Sequence, residues 1–374
     1  MKTIKISLFL PNLHGGGAER MMLNLAKGLL KFPVELELIV ANLVGDYISE
    51  IPEGAKIVNL NSKKTIFSTF KFISHLKKNK PDVLISTLRR ANIVAVLSKI
   101  LTSKKFKLIL REANSFSEDA VKNSSLSEKI INSLCKLFYP KADAIVAVSE
   151  KMSEEIGYHF KISKNKIHYI YNPVIDESID EKILQKPDHK WFDNKNFAII
   201  LGIGRITPQK DFETLIKAFD IVRKQKKAKL IILGKPDSSN AELEKLKILV
   251  SKLNINNDID FFGFVENPFA FLANADLFVL SSRFEGLPGT LIQALYCGCP
   301  VVSVDCTTGP SEILENGKYG LLCKPGDYES LALNMLKTLE ESKTKEELKS
   351  RGKLYSLQSS SELYYKLCLQ LLRS

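Results

Sequence analysis

The sequence has few cysteines and no long hydrophobic run, and both absences narrow the kinds of protein that it can encode. Its 374 residues include six cysteines and one tryptophan. Six cysteines in so long a chain do not make a disulfide framework, so we expect buried thiols in a reducing cytoplasm. No apolar run reaches the ~18–20 residues that a membrane-spanning helix needs. The N-terminus lacks a small-residue cleavage site, so we expect no signal peptide.

Several common binding signatures are missing as well. Neither of the glycine signatures Gx4GK[ST] and GxGxxG occurs, which argues against a P-loop and against a nicotinamide-dependent dehydrogenase. Asp258-Ile259-Asp260 is a DxD sequence, but it enters a strand far from the glycine-rich loops, and Cys297 and Cys299 lack a second pair at metal spacing. We therefore expect neither a metal nor a cofactor. No nucleic-acid-binding motif occurs, so we expect no nucleic-acid partner.

The composition is that of a globular protein, but its charge is uneven. Apolar residues make up 45% and charged residues 26%, and the length indicates two domains. Residues 1–172 contain 27 Lys and Arg against 15 Asp and Glu, whereas residues 173–374 contain 27 of each. The whole net charge of +12 thus lies in the first half. This asymmetry predicts an anionic partner for that half.

Short apolar strands alternate with amphipathic helices twice along the chain. Val34–Val40 and Ala144–Val148 are typical strands of the first series, and Leu277–Leu280 and Val301–Val304 are typical strands of the second. Ile66–Lys78 and Leu126–Phe138 are typical helices. The pattern breaks at Asn172-Pro173 and starts again at Phe197–Gly204. It predicts an α/β fold of two Rossmann-like, doubly wound domains that face each other across a cleft. In such sheets, ligands bind at the carboxyl ends of the strands.

A glycine run and a pair of cations follow two of these strands. His14 precedes Gly15, Gly16 and Gly17, which open a helix whose free N–H groups favour an anion. In the second half, Gly204-Arg205 ends a strand and Lys210 lies five residues further on. A guanidinium and an ammonium together suit a diphosphate. A plain strand-to-helix turn and two solvated surface cations are the alternative interpretations.

Residues 284–295, FEGLPGTLIQAL, carry the most information. The segment Gly286–Gly289 predicts a loop, with a helix from about Thr290 whose N-terminal amides cradle an anion or a hydroxyl. Glu285 lies just before the loop, where a carboxylate accepts hydrogen bonds from sugar hydroxyls. The turn Thr307–Glu312 is of the same kind. The alternatives are a capping loop with a surface Glu and an ordinary N-cap.

Six motifs in this order resemble the family 4 glycosyltransferases, which are retaining, use nucleotide sugars and have the GT-B fold. They are HGGGAER, GRITPQK, GFVENP, FEGLPGTLIQALYCGCPVV, TTGPSEI and NGKYGLL. The resemblance covers nearly the whole chain. It implies an acceptor-side domain at residues 1–175, a nucleotide-sugar-binding domain at 176–353, and a C-terminal helix at 354–374 that crosses back to the first domain.

The resemblance also implies roles for single residues. Arg205, Lys210 and Glu285 become the catalytic group: the two cations hold the donor diphosphate and stabilise the leaving nucleotide, without a metal, and Glu285 binds the donor sugar. The further donor-binding positions that it implies are Gly16, Gly17, Gly204, Phe264, Val265, Leu287, Gly289, Thr290 and Gln293. The acceptor-side candidates are His14, Arg111, Glu112 and Asn114.

One position departs from the family pattern. The family has a second Glu eight residues after the first, where this chain has Gln293. Glutamine keeps an acceptor oxygen but loses the charge that a ribose-binding carboxylate brings, so we expect weaker ribose binding.

The leading hypothesis is a hexosyltransferase of bacterial surface-glycan biosynthesis, such as capsule or O-antigen. It moves a hexose or N-acetylhexosamine from a nucleotide sugar, with UDP as the expected nucleotide, to a saccharide acceptor that a polyprenyl diphosphate carries. A donor phosphate oxygen is expected to take the acceptor proton. A non-catalytic nucleotide-sugar-binding protein and a GT-B nucleotide-sugar epimerase stay open as alternatives.

The region between Lys63 and Arg111 is dense in basic residues that alternate with apolar ones such as Phe67 and Phe70. A basic amphipathic helix of this kind lies well on an anionic membrane surface. We therefore expect a cytoplasmic protein on the inner face of the cytoplasmic membrane. A solvated helix whose apolar face joins the core is the alternative.

Overall fold

The chain folds into two compact units. The computed structural model describes residues 3–14, 16–102, 106–112, 126–176, 178–193, 196–236, 239–306 and 309–373. Unit 1 comprises Met1–Val174 together with Tyr355–Ser374, and unit 2 comprises Ile175–Leu354.

The described part of unit 1 contains a seven-stranded parallel sheet. Its order is β3-β2-β1-β4-β5-β6-β7. The strands are β1 (Ile4–Leu10), β2 (Val34–Val40), β3 (Lys56–Asn59), β4 (Val83–Thr87), β5 (Lys107–Glu112), β6 (Ala144–Ala147) and β7 (Ile167–Tyr169). β1 and β4 are neighbours, so the chain winds outward in both directions from this pair. The central strands β1 and β4 are buried along almost their whole length because helices cover both faces of the sheet.

The described part of unit 1 contains six helices. They are α1 (Gly17–Leu29), α2 (Thr69–Asn79), α3 (Arg89–Thr102), α4 (Leu126–Phe138), α5 (Glu150–Phe160) and, from the end of the chain, α14 (Leu357–Arg373). In α1, Met22, Leu23, Ala26 and Leu29 are buried against the sheet. Their spacing of three and four residues is what makes this segment helical and fastens it to the core.

Unit 2 repeats the plan with a six-stranded parallel sheet in its described part. The order is β10-β9-β8-β11-β12-β13. The strands are β8 (Ala198–Ile203), β9 (Ala228–Leu233), β10 (Ile259–Gly263), β11 (Leu277–Leu280), β12 (Val301–Val304) and β13 (Leu321–Cys323). The helices are α6 (Ser178–Ile183), α7 (Phe212–Gln225), α8 (Ala241–Lys252), α9 (Pro268–Asn274), α10 (Gly289–Tyr296), α11 (Pro310–Ile313), α12 (Tyr328–Glu340) and α13 (Lys345–Lys353). Two parallel sheets with helices between the strands confirm the predicted doubly wound fold class.

Polar contacts hold together the two places where the chain passes between the units. The amide of Val174 donates to the carbonyl of Tyr355 at 3.0 Å. Ser360 Oγ donates to the carbonyl of Tyr171 at 2.7 Å, and Asn24 Nδ2 donates to the carbonyl of Pro173 at 2.7 Å. The start of α14 is thereby fixed to unit 1. Within the described residues, no helix is both long enough and apolar enough to cross a membrane.

Candidate functional site

The predicted catalytic residues of unit 2 follow two neighbouring strands. Arg205 and Lys210 come after β8, and Glu285 comes after β11. β8 and β11 pair with each other although they are distant in sequence, because the strand order reverses between them. This reversal is the topological switch point of the sheet, where doubly wound folds bind their ligands.

Lys210 and Glu285 form an ion pair at this point. Nζ of Lys210 lies 2.6 Å from Oε1 of Glu285, and their side chains are 18% and 12% exposed. Because both groups are largely shielded from water, their attraction is stronger than that of a surface pair. Glu285 also lies beside Cys306, where burial first and this carboxylate second raise the pKa of the thiol to about 12.

Hydrogen bonds join the two loops that carry this pair. Gln209 Nε2 donates to the carbonyl of Phe284 at 3.0 Å, and the amide of Arg283 donates to the carbonyl of Gln209 at 2.8 Å. Ser281 Oγ donates to the carbonyl of Lys210 at 2.8 Å. The two loops that carry the ammonium and the carboxylate are therefore joined to each other, which keeps Lys210 and Glu285 adjacent before any ligand binds.

Arg205 is the exposed cation of this edge. Its side chain is exposed, and within the described ranges it makes no ion pair. The loop that carries it is close to the loop after β9, since a Cβ on Gly234 would lie 1.9 Å from the carbonyl oxygen of Gly204. Only glycine fits at 234, where φ is +148°.

The loop before α10 has the geometry that the sequence predicts, with the helix starting one residue earlier, at Gly289. The first backbone amide of α10 that donates a hydrogen bond within the chain is that of Leu291, to the carbonyl of Pro288 at 3.1 Å. The amides of Gly289 and Thr290 thus belong to the open N-terminus of the helix. A Cβ on Gly309 would lie 2.8 Å from the carbonyl oxygen of Gly286, so the two turns pack together. Thr307 and Thr308 lie outside the described residues.

Four further donor-side candidates surround this edge. Gln293 lies in the second turn of α10 and Val265 lies after β10, and both are half-buried. Phe264 is 66% exposed, and the ammonium of Lys235 lies 4.8 Å from its ring centroid. Leu287, in the loop before α10, is half-buried too. Their roles in donor binding remain predictions.

In unit 1, the described part of the glycine turn caps α1. Gly16 is the N-cap in an extended conformation and Gly17 is the first helical residue, while Gly15 lies outside the described residues. A Cβ on Gly16 would lie 2.3 Å from the carboxylate of Glu19, whereas one on Gly17 would meet nothing within 4 Å. His14 is exposed. Of the two glycines that the structure describes in this turn, Gly17 therefore leaves room for a ligand and Gly16 does not.

Arg111 and Glu112 are buried at the end of β5, at 2% and 1% exposure. Arg111 donates to Thr87 Oγ1 at 2.9 Å and also to the amide oxygen of Asn172. Burial lowers the pKa of Arg111, and the neighbouring Tyr364 and Glu112 oppose that shift. Tyr139 Oη donates to Glu112 at 2.8 Å. Both side chains thus bind protein groups within unit 1, and Asn114, their predicted companion, lies outside the described residues.

Two charged groups that sequence reasoning did not single out belong to these edges. Asp211 is buried and pairs with Arg283 at 3.2 Å, which ties the end of the Lys210 loop to the end of β11. The carboxylate of Glu19 lies over the glycine turn. The sequence offered one indication of this role, because Glu19 belongs to the HGGGAER motif. Among the described residues, no group of three or more His, Cys, Asp and Glu side chains is placed to hold a metal ion.

Comparisons with known proteins match both halves of the chain to glycosyltransferase families. The family described as "Glycosyltransferase Family 4" matches residues 15–178, and the one described as "Glycosyl transferases group 1" matches residues 184–355. An uncharacterized glycosyltransferase of Methanocaldococcus jannaschii is 36% identical over 304 residues, which cover 75% of this chain and 73% of that protein.

A Campylobacter jejuni protein resembles the chain over nearly its whole length. It is 30% identical over 362 residues, covering 93% of this chain and 94% of that protein, and is named N-acetylgalactosamine-N,N'-diacetylbacillosaminyl-diphospho-undecaprenol 4-alpha-N-acetylgalactosaminyltransferase. Among solved structures, the Anabaena protein HepE in complex with UDP matches with a TM-score of 0.79 at 17% identity, over 98% of this chain and 100% of that one. At that identity the likeness concerns the fold, which is GT-B.

Proposed function

Because the chain belongs to the glycosyltransferases, its first half to family 4 and its second half to group 1, we propose that it transfers a hexose or N-acetylhexosamine from a nucleotide sugar to a lipid-linked saccharide. The observation that carries the proposal is the Lys210–Glu285 pair, at 2.6 Å, at the switch point of unit 2. A shielded ammonium at that place suits a pyrophosphate, and the adjacent carboxylate suits the hydroxyls of the sugar attached to it.

The roles of the surrounding groups follow from what each can donate or accept. Arg205 and Lys210 neutralise the charge that develops on the departing diphosphate, a task for which positioned cations are effective in a shielded site. The amides of Gly289 and Thr290 donate to the donor at the N-terminus of α10. The free amides beside Gly16 and Gly17, at the N-terminus of α1, are assigned to donor phosphates as well, as the family resemblance implies. Reaction with retention, without a metal and without a cofactor, is part of this proposal.

The relatives support the choice of substrates. The Campylobacter protein is named for an acceptor on diphospho-undecaprenol, and the solved HepE structure contains UDP. We therefore assign a UDP-sugar as donor and a polyprenyl-diphosphate-linked glycan as acceptor, with a place in the synthesis of a bacterial surface glycan.

The surface of unit 1 supports a position on the inner face of the cytoplasmic membrane. Ile66, Phe67 and Phe70 are 50%, 68% and 83% exposed. Ile66 and Phe67 lie in the 3₁₀ turn before α2, and Phe70 lies in the first turn of α2. The basic residues around them include Lys63, Lys64 and Lys71. Exposed aromatic rings with lysines around them suit the interface of an anionic bilayer, which is where a lipid-linked acceptor is found.

A transfer assay tests the proposal. The protein is incubated with a panel of labelled nucleotide sugars and bacterial membrane extract, and the labelled lipid is identified by its mass. Lys210→Ala is expected to lower kcat about 100-fold or more, because the leaving diphosphate loses its closest cation. Lys217→Ala is the matched control, since Lys217 pairs with Glu213 in an i,i+4 surface contact. If neither wild type nor control transfers any sugar, the enzyme proposal is wrong.

The presence of Gln293 in place of a carboxylate favours one other function, a nucleotide-sugar-binding protein without catalysis. Under that alternative, wild type and Lys210→Ala bind a UDP-sugar equally well and neither releases UDP. Calorimetric titration of both proteins with UDP-sugars, beside the transfer assay, separates the two functions.

A further inference from the structure

The residue that follows Lys210 has a strained backbone. Asp211 lies in the left-handed region, with φ of +48° and ψ of +49°, and it is the N-cap of α7. This conformation costs energy in a residue with a side chain, although Asp tolerates it better than most. The side chain does not cap the helix in return, since no N–H of the first turn donates to it. Such strain persists only where surrounding contacts hold the residue in place.

The carboxylate of Asp211 has partners on two different elements. It is 3% exposed, and its Oδ2 lies 3.2 Å from Nε of Arg283, which follows β11. Nη2 of Arg283 lies 3.5 Å from Oδ1, so the guanidinium faces both oxygens. Thr214 Oγ1, in the first turn of α7, donates to Oδ2 at 2.9 Å. A carboxylate so well shielded from water needs these partners, because an unpaired buried charge is costly.

The guanidinium of Arg283 has other charged neighbours, but Asp211 is the one that orients it. The carboxylates of Glu213 and Glu242 attract it through their charge, and the ammonium of Lys245 repels it. Lys245 itself pairs with Glu213 at 2.6 Å. Among the described residues, Asp211 is the carboxylate that directly contacts Arg283. This pair therefore has a defined geometry, whereas the other charges act from a distance.

Lys210 lies between this pair and the end of β8. The stem of its side chain lies across Gly204, where a Cβ would be 2.9 Å from Cε of Lys210. Its amide donates to the carbonyl of Thr207 at 3.0 Å, which closes a turn. On the other side, the left-handed Asp211 sets the direction in which the chain enters α7. The place of the ammonium beside Glu285 thus depends on a backbone conformation that the contacts of Asp211 maintain.

We propose that Asp211 is a positioning residue for Lys210: paired with Arg283, it holds the loop after β8 so that the ammonium meets Glu285 and the donor diphosphate. The inference rests on the proposed function for the task of Lys210 in transfer. Glycine adopts the left-handed conformation without strain, but it lacks the carboxylate that joins this loop to the end of β11. Asp211→Gly therefore removes the pair while the backbone keeps an allowed conformation. Asp211→Asn keeps one acceptor oxygen and the shape of the side chain.

Acetylation of lysines reports the position of Lys210 without any need for transfer. The whole protein is treated with a limiting amount of acetic anhydride, and peptide mass spectrometry gives the rate for each lysine. Lys210 is expected to react slowly in wild type, because its ammonium is shielded and paired. Asp211→Gly is expected to raise its rate about 5-fold or more, and Asp211→Asn by less. The internal reference is Lys229, which is 22% exposed and pairs with Asp258 at 2.8 Å elsewhere in unit 2.

Two further variants make the test specific. Arg283→Gln removes the partner from an exposed position, and combined with Asp211→Asn it should add little, because both changes break the same pair. Asp220→Asn is the matched control. Asp220 lies on the same helix, is 10% exposed and pairs with Arg223 at 3.0 Å. Its replacement should leave the acetylation rate of Lys210 unchanged.

The transfer assay provides the second readout. Asp211→Gly is expected to lower kcat about 10-fold while the KM for the acceptor stays at the wild-type value, because a displaced ammonium stabilises the leaving diphosphate less well. Asp211→Asn should recover part of that loss.

The outcomes separate this inference from the proposed function. An unchanged acetylation rate of Lys210 in the Asp211 variants overturns the inference. An equal rise at Lys210 and Lys229 overturns it too, because Asp211 then only stabilises unit 2. A selective rise with an unchanged kcat would show that transfer does not need Lys210 in this position, and also counts against it. If the rise is selective but wild type transfers no sugar, the positioning of Lys210 stands and the proposed function falls.

Discussion

Residue 293 carries an amide where the family pattern has a carboxylate. Gln293 is half-buried in the second turn of α10, eight residues after Glu285. A glutamine can still accept one hydrogen bond from a ribose hydroxyl, but that bond is not charge-assisted. The substitution is therefore expected to lower the affinity for the nucleotide without abolishing the site.

Gln293→Glu is expected to strengthen the binding of UDP about 5-fold. A charge-assisted hydrogen bond contributes about 1 kcal/mol more than a neutral one, which corresponds to that factor. Isothermal titration calorimetry with UDP measures it. Gln358→Glu, at an exposed position of α14, controls for the added charge. An unchanged or weaker affinity in Gln293→Glu would place the side chain away from the nucleotide.

Glu37 is a buried carboxylate with a structural task. It is 2% exposed on β2, and its Oε2 lies 2.8 Å from Nε2 of His75 on α2. Burial alone raises the pKa of Glu37, but the hydrogen bonds from His75 and Ser7 and the charges of His75 and Lys56 outweigh it, so the pKa is lowered. The carboxylate thus fastens α2, which carries the exposed Phe70, to the sheet.

The lowered pKa of Glu37 predicts how stability depends on pH. Its contribution is complete above the unfolded-state pKa and is lost as the pH falls through the lower folded-state pKa. Glu37→Gln is expected to reduce the free energy of unfolding of unit 1 by about 1–3 kcal/mol at pH 7 and by much less at pH 3. Urea denaturation at both pH values measures this, with the exposed Glu35→Gln as control. A deficit that is equal at both pH values would contradict the prediction.

Among the elements, the last helix depends on a close approach to the first. A Cβ on Gly28 of α1 would lie 1.9 Å from Oγ of Ser361 and 2.7 Å from Cδ2 of Leu357, both on α14. The two helices can pack at this distance only because Gly28 has no side chain. Gly28 therefore allows α14 to pack directly against α1.

Gly28→Ala is expected to destabilise unit 1 by about 1–3 kcal/mol through overpacking. Adding Ser361→Gly removes Oγ and Cβ of residue 361 and leaves Cδ2 of Leu357, so it should restore part of the loss, a coupling that a double-mutant cycle detects. Thermal unfolding of the four proteins gives the cycle. Gly157→Ala on α5 is the control, because its nearest neighbour, Ile167, is 3.3 Å away at the end of a flexible side chain. Additive effects would show that the helices do not press on each other at Gly28.

The elements that the sequence predicts best are the buried ones. Val34–Val40, Leu277–Leu280 and Val301–Val304 were predicted to the residue, because each is a short segment rich in apolar residues that a covered parallel sheet buries. The strands Lys56–Asn59 and Ile167–Tyr169 were missed, since they are short, partly exposed strands at the edges of the sheet. Helix boundaries were less reliable: Ile66–Lys78 was predicted as one helix, but α2 begins only at Thr69, after a 3₁₀ turn.

The candidate site was predictable in its residue types but not in its contacts. The motifs pointed to Lys210 and Glu285, yet their ion pair joins residues 75 positions apart and depends on β8 and β11 being neighbours. The burial of Arg111 was equally out of reach, because a charged residue at a strand end is usually exposed. Such facts follow from the packing of distant segments, which a single sequence does not specify.

For the whole molecule, the uneven charge is the feature with the widest consequence. The excess of +12 lies in residues 1–172, on the same unit as the exposed Phe67 and Phe70. If unit 1 docks on an anionic membrane as we propose, its charge attracts it to that surface over a distance that salt limits, and the aromatic rings then insert.

Binding to vesicles is expected to require anionic lipid and to fall as salt rises. Replacing Lys63 and Lys64 by Gln should weaken binding about 10-fold or more, at about 1 kcal/mol for each lysine, and Phe70→Ser should weaken the part that salt does not remove. Sedimentation with phosphatidylglycerol-containing vesicles measures both effects. Replacing Lys247 and Lys252, exposed residues of unit 2, is the control. Equal losses in both double variants would argue against a specific surface.

Unit 2 is inserted into the chain of unit 1, and the hydrogen bond between Val174 and Tyr355 joins the two positions between which it is inserted. Because Val174 and Tyr355 are in contact, residues 175–354 can be replaced by a few glycines without stretching the chain of unit 1. A protein in which residues 1–174 are joined to 355–374 should therefore unfold cooperatively on its own, which differential scanning calorimetry measures. If the joined protein shows no cooperative transition, unit 1 needs unit 2 in order to fold. Recombination between related genes at these two positions offers a route by which one unit 1 acquires a different unit 2.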